Sequence, residues 1–293
     1  MLKKELSVVV PVYNEEASVA SVVEKIDQTL KASGWQYEIL IVNDGSTDKT
    51  ESAARQTNAK VISHPKNMGY GAALRTGILA ASYDFVATID GDLAYPAEEI
   101  LKLLPYTETF DMVVGARQGS HYWGSLFKYP ARLIFLAIAS FVVGERIPDV
   151  NSGLRIFKKS KVTPMLPRLC AGFSFSTTLT LSFLSSHYFV RFEPIEYSSR
   201  LGTSKVRYFR DTLRTLQLIL ETVVYYNPIK ASLLLILPAT AVSVISLLAF
   251  LNTAADIYFY GFLITFCCSL LLFALGFILY MLSQLNRSND QSR

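Results

Sequence analysis

The chain has 293 residues, 51% of them apolar and 18% charged, with a formal net charge of +4. That length holds one large domain and something more, and the positive mean hydropathy is high for a soluble enzyme. The charge is too small and too scattered for nucleic-acid binding, though it suits an anionic membrane surface, and Cys170, Cys267 and Cys268 offer neither a metal-ligand spacing nor a disulfide framework.

The opening segment, MLKKELSVVVPVYNEE, lacks the apolar length and the small-residue cleavage site of a signal peptide. The bulk of the chain is therefore expected on the side of the membrane where it is made. Residues 6–12 read as a buried strand, and Val19, Val22, Val23, Ile26 and Leu30 then fall at helical spacing. Residues 37–43 are strand-like around Ile39, Leu40, Ile41 and Val42. Residues 49–57 read as a helix with Thr47 or Asp48 as its cap. Residues 59–63, 85–89 and 112–115 are further short apolar runs. Strands alternating with helices imply an α/β domain, a mostly parallel sheet flanked by helices. Ligands of such sheets bind beyond the carboxyl ends of the strands. Three polar clusters fall there: Tyr13-Asn14-Glu15, Asn43-Asp44-Gly45 and Asp90-Gly91-Asp92.

From about Tyr122 the composition shifts. Residues 132–143 are apolar and helix-compatible but too short to span a bilayer, which leaves an interfacial or a packed position. Residues 189–197 read as one more strand. Residues 208–226 suit an amphipathic helix with Leu213, Leu216, Leu220, Val223 and Val224 on one side, ending at Asn227-Pro228. Residues 231–251 and 257–282 are uncharged, and each meets the roughly 20 residues a spanning helix needs. Pro238 can kink the first. The link is so short that the two form a hairpin. Lys230 precedes it, Arg287 follows it, and the link carries only Asp256, so the positive-inside rule puts both flanks in the cytoplasm. The expected organisation is a domain over residues 1–207, an amphipathic helix over 208–228, a transmembrane hairpin over 229–285 and a tail over 286–293.

Asp90 and Asp92 flank one small residue just after an apolar run, so both can reach one hard cation, Mg²⁺ or Mn²⁺, completed by substrate phosphates. Gly91 would let the backbone approach a ligand; a solvated acidic turn is the plainer alternative. Asp44 can accept hydrogen bonds from a nucleobase or ribose, or simply sit in a strand-to-helix turn. Tyr13 can pack on a base and Glu15 can bond a ribose hydroxyl, while Glu15 and Glu16 equally favour the positive end of the next helix. Gly69 and Gly71 open a helix in a way that admits a ligand to backbone amides, or form a plain turn. Arg117, Arg200, Lys205 and Arg207 can bind phosphate; the plainer reading of the set is a juxtamembrane basic cluster touching anionic lipids, compatible with the first. His64, His121 and His187 sit in no matching motif and read as structural.

In this order the motifs resemble glycosyltransferase family 2. More narrowly, they resemble the dolichol-phosphate mannose synthase group and its bacterial polyprenyl-phosphate relatives. Val10-Pro11-Val12-Tyr13-Asn14-Glu15-Glu16 is similar to the family's opening strand motif, and Asn43-Asp44-Gly45-Ser46-Thr47-Asp48 to its nucleoside-binding turn. Asp90-Gly91-Asp92 is similar to its metal motif and Gly115-Ala116-Arg117 to a stretch whose arginine faces phosphate. The segment from Asp149 to Arg155 resembles one that lines the active site, and Arg200-Leu201-Gly202-Thr203-Ser204-Lys205 resembles the acceptor loop specific to lipid-phosphate users. The resemblance spans about residues 5–210 and implies a GT-A fold that binds a nucleotide sugar through Pro11, Tyr13, Glu15, Asp44, Gly69, Gly71, Asp90 and Gly91. It implies Asp92, Arg117 and Asp149 as catalytic residues, Asp90 and Asp92 as metal ligands, and Arg117, Arg132, Arg200, Ser204 and Lys205 around the acceptor phosphate. It also implies inversion at the sugar, a polyisoprenyl phosphate acceptor (dolichyl or undecaprenyl) and a possible homotetramer. One departure stands out: the group commonly has Gln where this chain has Ala94, so a standard mannose synthase is not expected. The donor is a UDP-hexose, a UDP-acetamidosugar or GDP-mannose. A processive polysaccharide synthase would need more membrane helices and a Gln-x-x-Arg-Trp motif. A nucleotidyltransferase would need a Gly-rich phosphate loop at its start. Another membrane acceptor, or a non-catalytic membrane partner subunit, are the remaining alternatives.

Overall fold

The computed structural model of the chain describes residues 4–118, 129–172, 174–198, 224 and 227–291. It divides into two compact units, Met1–Leu218 and Ile219–Arg293, and each is taken by itself.

The first unit is built on a seven-stranded sheet in the order β3-β2-β1-β4-β6-β5-β7. The strands are β1 (Glu5–Val12), β2 (Gln36–Asn43), β3 (Lys60–Ser63), β4 (Phe85–Thr88), β5 (Met112–Arg117), β6 (Arg155–Lys158) and β7 (Val190–Ile195). Between them run α1 (Val19–Lys31), α2 (Thr50–Arg55), α3 (Tyr70–Ala80), α4 (Glu99–Leu103), α5 (Tyr129–Val143), α6 (Lys159–Val162) and α7 (Phe175–Ser185). The side chain of Arg132, on α5, is not among those described.

The alternation of side chains along the central strands explains the layers. Val8, Val10, Ile39 and Ile41 point into a core under α1, while Val9, Leu40 and Val42 point into a second core under α3 and α7. Strands buried on both faces read as continuous Val/Ile/Leu runs, as these do. The apolar positions of α1 expected from spacing, Val19, Val22, Val23, Ile26 and Leu30, are its buried face. The second core has no room for a side chain at Gly77 of α3: an added Cβ would lie 2.3 Å from Val9 and 3.1 Å from Val42.

Two differences from the sequence reading matter for the site. The cap expected at α2 is displaced: the Asp48 carboxylate accepts from the Thr50 amide at 3.0 Å, but Lys49 occupies the capping position. More important, β6 runs antiparallel to both β4 and β5, whereas every other pairing is parallel. No period of the sequence announced β6, because four residues, Arg155–Lys158, are too few to show one. Its reversed direction places its start, and the loop before it, at the edge where the parallel strands end.

The second unit is a helical hairpin, α8 (Pro228–Thr253) and α9 (Asp256–Gln291). The Asn227 side chain accepts from the Lys230 amide at the start of α8, and Ala254, left-handed at φ 51°, ends it. Segments Pro228–Thr253 and Asp256–Gln284 are long and apolar enough to cross a membrane, and only 6% and 11% of their most apolar stretches are buried. A soluble core helix would be covered; here Leu251 and Leu271 are each 70% exposed. Small residues line the contact between the helices. Gly276 lies against Ser232, and the Ser243 hydroxyl donates to the Phe262 carbonyl at 3.3 Å. Close packing of small residues is how helices associate in lipid. The amphipathic helix expected over residues 208–226 falls, apart from Val224, outside the described residues.

Gly77→Leu is expected to lower the stability of the first unit by about 1–3 kcal/mol through overpacking against Val9 and Val42. A drop in the thermal unfolding midpoint of the purified protein checks this; an unchanged midpoint contradicts it.

Candidate active site

The carboxyl ends of β1 and β2 are laced together by the side chains of their loops. Asn14, left-handed at φ 52°, donates its amide to Ser46 Oγ at 3.0 Å, and its Oδ1 accepts from the Thr47 amide at 2.8 Å. Glu15 gives its amide to Thr50 Oγ1 at 2.7 Å, and its carboxylate accepts from Ser18 Oγ at 3.1 Å. Ser18 Oγ also lies 2.7 Å from the Gly91 carbonyl, which brings the acidic motif to the same edge. Pro11 and Val12 pair in register with Val42 and Asn43, so Tyr13 and Asp44 leave the sheet as neighbours.

Asp44 is buried, and it organises the next loop. Its Oδ1 accepts from the Met68 amide at 2.9 Å and its Oδ2 from the Gly69 amide at 2.8 Å. His64 Nδ1 stands 2.7 Å from the same Oδ1, and its Nε2 stands 2.9 Å from Thr76 Oγ1. Gly69 runs at φ 103°, a conformation that costs a glycine little and a side chain much. The Gly69 amide, one of those expected to greet a ligand here, is therefore spent on Asp44. Gly71 is small because the Cys170 carbonyl would lie 2.3 Å from a Cβ. Gly91 is small because Val12 would lie 2.6 Å from one.

Asp90 follows β4 and is half-buried. Burial first, and the charge of Asp92 second, push its carboxyl up to about 6. The Tyr70 hydroxyl donates to Asp90 Oδ1 at 2.7 Å. Burial, and then the neighbouring Asp90 charge, hold the Tyr70 phenol well above its ordinary pKa, so it stays a donor at neutral pH. Gly153 presses on the same carboxylate: a Cβ there would lie 2.6 Å from Asp90 Oδ2. Asp92 Oδ1 accepts from the Ala94 amide at 3.1 Å, and Leu93 between them is left-handed at φ 62°. Ala94 itself is fully buried in the core. Among the described residues no three His, Cys, Asp or Glu side chains gather as a metal cage. The acidic pair still fits a divalent cation, because a carboxylate whose charge is disfavoured by burial and by a like neighbour gains from one, and Mg²⁺ usually takes few protein ligands alongside phosphates and water.

Arg117, at the end of β5, meets Asp149 in a two-pronged ion pair, Nε to Oδ2 at 2.7 Å and Nη2 to Oδ1 at 3.0 Å. Its guanidinium also lies 5.3 Å from the centre of the Tyr197 ring, which stacks edge-on with Tyr95. The Tyr95 hydroxyl accepts from the Gly153 amide at 2.8 Å, and Thr88 Oγ1 donates to the Gly153 carbonyl at 2.7 Å. Arg155 is 1% exposed and bonds the Ser152 and Ser176 carbonyls and Thr180 Oγ1. Burial lowers its pKa to about 10, so it remains a cation. The loop 149–154 is thus fastened from four directions. The sequence reading gave no role to Tyr70, Tyr95, Gly153 or Arg155, although Tyr70 stands between Gly69 and Gly71, Tyr95 follows Ala94, and Gly153 and Arg155 lie in the Asp149–Arg155 motif. Arg200, Ser204 and Lys205 lie outside the described residues.

The family model described as "Glycosyl transferase family 2" matches residues 7–178. The chain belongs to glycosyltransferase family 2. Among curated proteins, it is 34% identical over 169 residues to an undecaprenyl-phosphate 4-deoxy-4-formamido-L-arabinose transferase of Photorhabdus laumondii, covering 56% of this chain and 52% of that one. It is 34% identical over 167 residues to the protein of the same name from Pseudomonas fluorescens, covering 55% and 49%. The chain thus spans about half the length of the curated relatives it matches. Among solved structures, glucosyl-3-phosphoglycerate synthase of Mycobacterium tuberculosis, in complex with phosphoglyceric acid, superposes with a TM-score of 0.63 at 21% identity, over 75% of this chain and 80% of that one. The same enzyme with Mn²⁺, UDP and phosphoglyceric acid gives 0.62, over 75% and 78%. The family match and these superpositions show a GT-A fold for this domain.

Because the folded pKa of Asp90, about 6, exceeds its ordinary 3.8, the folded state holds a proton that the unfolded chain has released. Asp90 therefore makes the protein less stable as pH rises from about 4 to about 6 in a chelator, and a divalent cation should cancel that loss. Unfolding midpoints of wild type and Asp90→Asn across this window, with and without Mn²⁺, check it; parallel curves in chelator contradict it.

Proposed function

We propose that this chain moves a hexose or acetamidohexose from a nucleotide diphosphate onto a polyisoprenyl phosphate, with inversion and with a divalent cation. The observation that carries the reading is a family 2 domain with an acidic pair at its carboxyl edge, continuous with two exposed apolar helices of membrane length. The names of the relatives, transferases that act on undecaprenyl phosphate, support the lipid acceptor. The cationic flanks Lys230 and Arg287 support a cytoplasmic site. A homotetramer is part of the same reading.

A lipid phosphate has a second pKa of roughly 6 and is largely anionic at neutral pH, so the reaction needs no strong general base. Its demands are position and charge. Pro11, Tyr13, Glu15 and Asp44 frame the nucleoside, with Gly69, Gly71 and Gly91 giving the close packing behind them. Asp90 and Asp92 would hold Mg²⁺ or Mn²⁺, which when bound neutralises the leaving nucleoside diphosphate. Asp149 orients Arg117 through two hydrogen bonds, so that this cation faces phosphate without moving. Arg132, Arg200, Ser204 and Lys205 complete the acceptor's seat. A second reading, a non-catalytic partner subunit, is favoured by one observation, the apolar Ala94 beside the acidic pair.

Membranes containing the protein, given radiolabelled UDP- and GDP-sugars with Mn²⁺, should pass label into the organic phase. Asp92→Asn should abolish that transfer and leave membrane insertion intact. Full activity of the variant refutes the role of Asp92, and absence of label from every donor favours the partner-subunit reading.

A further inference from the structure

Tyr70 is the first residue of α3, and its hydroxyl meets Asp90 Oδ1 at 2.7 Å. The two residues before it, Met68 and Gly69, give their amides to Asp44. Three consecutive residues therefore touch both carboxylates, the one after β2 through the backbone and the one after β4 through a side chain. The segment has little freedom to shift. Ala72 donates to the Ala171 carbonyl at 2.9 Å, and Gly71 abuts the Cys170 carbonyl. Gly153 also packs against the carboxylate, where an added Cβ would lie 2.6 Å from Oδ2 and 2.7 Å from Oδ1. The acid is thus bonded by a hydroxyl and crowded by backbone.

We infer that Tyr70 is a positioning residue that ties the nucleoside seat to the cation seat, setting the orientation in which Asp90 meets a divalent ion. The inference rests on the reading of Asp90 as a metal ligand. The Tyr70 hydroxyl occupies one of the roughly four lone-pair sites of the Asp90 carboxylate and leaves the others for a cation. Outer partners of this kind commonly govern metal affinity as strongly as they govern geometry. The continuity of the segment has a second consequence. A nucleotide that engages Asp44 or the loop it holds acts on the backbone that carries Tyr70, so nucleotide and cation should strengthen each other's binding, and reciprocally.

The test uses the full chain in detergent. Mn²⁺ is titrated and the free ion read by electron paramagnetic resonance, alone and with UDP or GDP, for wild type, Tyr70→Phe and Asp92→Asn. Tyr70→Phe should weaken Mn²⁺ binding by about tenfold. The gain that nucleotide brings should shrink, since the part carried through the segment of Tyr70 is lost, while its unfolding midpoint and its nucleotide affinity in chelator stay those of wild type. Unchanged Mn²⁺ affinity overturns the inference. So does a loss shared equally by metal-free nucleotide binding and by the midpoint, which would mark Tyr70 as structural only. If Asp92→Asn loses the ion and Tyr70→Phe keeps it, the metal reading survives and Tyr70 alone fails; if wild type binds no Mn²⁺, both fall.

Discussion

The ion pair between Arg117 and Asp149 joins the end of β5 to the loop before β6, and the rest of the site is arranged around it. Asp149 is 2% exposed, so its charge can be tolerated only with a partner of excellent geometry. The two parallel hydrogen bonds from Arg117, with a third from the Arg117 amide at 3.2 Å, supply it. Once that contact forms, the chain after Asp149 has no freedom to wander. It passes Gly153 against Asp90 and enters β6 with Arg155 anchored beneath it. An antiparallel strand within a parallel sheet is what allows this, since only a strand running backwards begins where its neighbours end. The acidic motif after β4 and the loop before β6 become neighbours for a topological reason, and Arg117 and Asp149 hold them so.

How much of this the sequence displayed follows from the range of each interaction. The strands β1 and β2 were visible because each has a run of branched apolar residues at its centre, Val8 to Val10 and Ile39 to Val42, buried on both faces. Helix α1 was visible because its five buried positions repeat at helical spacing. The hairpin was visible because its helices are apolar all round and long enough to cross a membrane, with Leu235, Ile245, Leu271 and Phe273 all facing outward. Helix α7 was hidden for the opposite reason: every position from Phe175 to Leu184 is buried, polar Thr177, Thr178 and Thr180 included, so no stripe distinguishes a face. The motif residues Asp44, Asp90 and Asp149 stood out as types, but what each touches depended on contacts between residues 20 to 32 apart. His64 shows this well. In the sequence it belongs to no motif, and in the fold it lies between Asp44 and Thr76.

The glycines carry a related lesson about inference from small residues. Gly69, Gly71 and Gly91 suggested room for a ligand, yet the space beside Gly71 and Gly91 is filled by protein. A glycine in a motif marks a close approach, and the sequence does not say by what. Here the approaching groups are the Cys170 carbonyl and the Val12 side chain, both parts of the scaffold that aims Tyr70 and Asp92. The same holds for Gly153, which is small because a carboxylate lies against it. These positions serve the site through its framework.

Charge balance then connects the framework to chemistry. Around loop 149–154 stand three carboxylates, Asp90, Asp92 and Asp149, and two buried guanidinium groups, Arg117 and Arg155. Arg117 pairs with Asp149, and Arg155 is held by carbonyl and hydroxyl oxygens. The acidic pair is left with a charge that burial disfavours, which is why the Asp90 carboxyl is pushed upward, and the Tyr70 hydroxyl offsets that only in part. A protein could have relieved the strain by placing a lysine there, but under the proposed function a fixed cation would compete with the metal for the same oxygens. A neutral donor steadies the carboxylate and keeps its charge available. The choice of a phenol at position 70 is therefore consistent with a site that waits for a divalent ion to arrive with an anionic substrate.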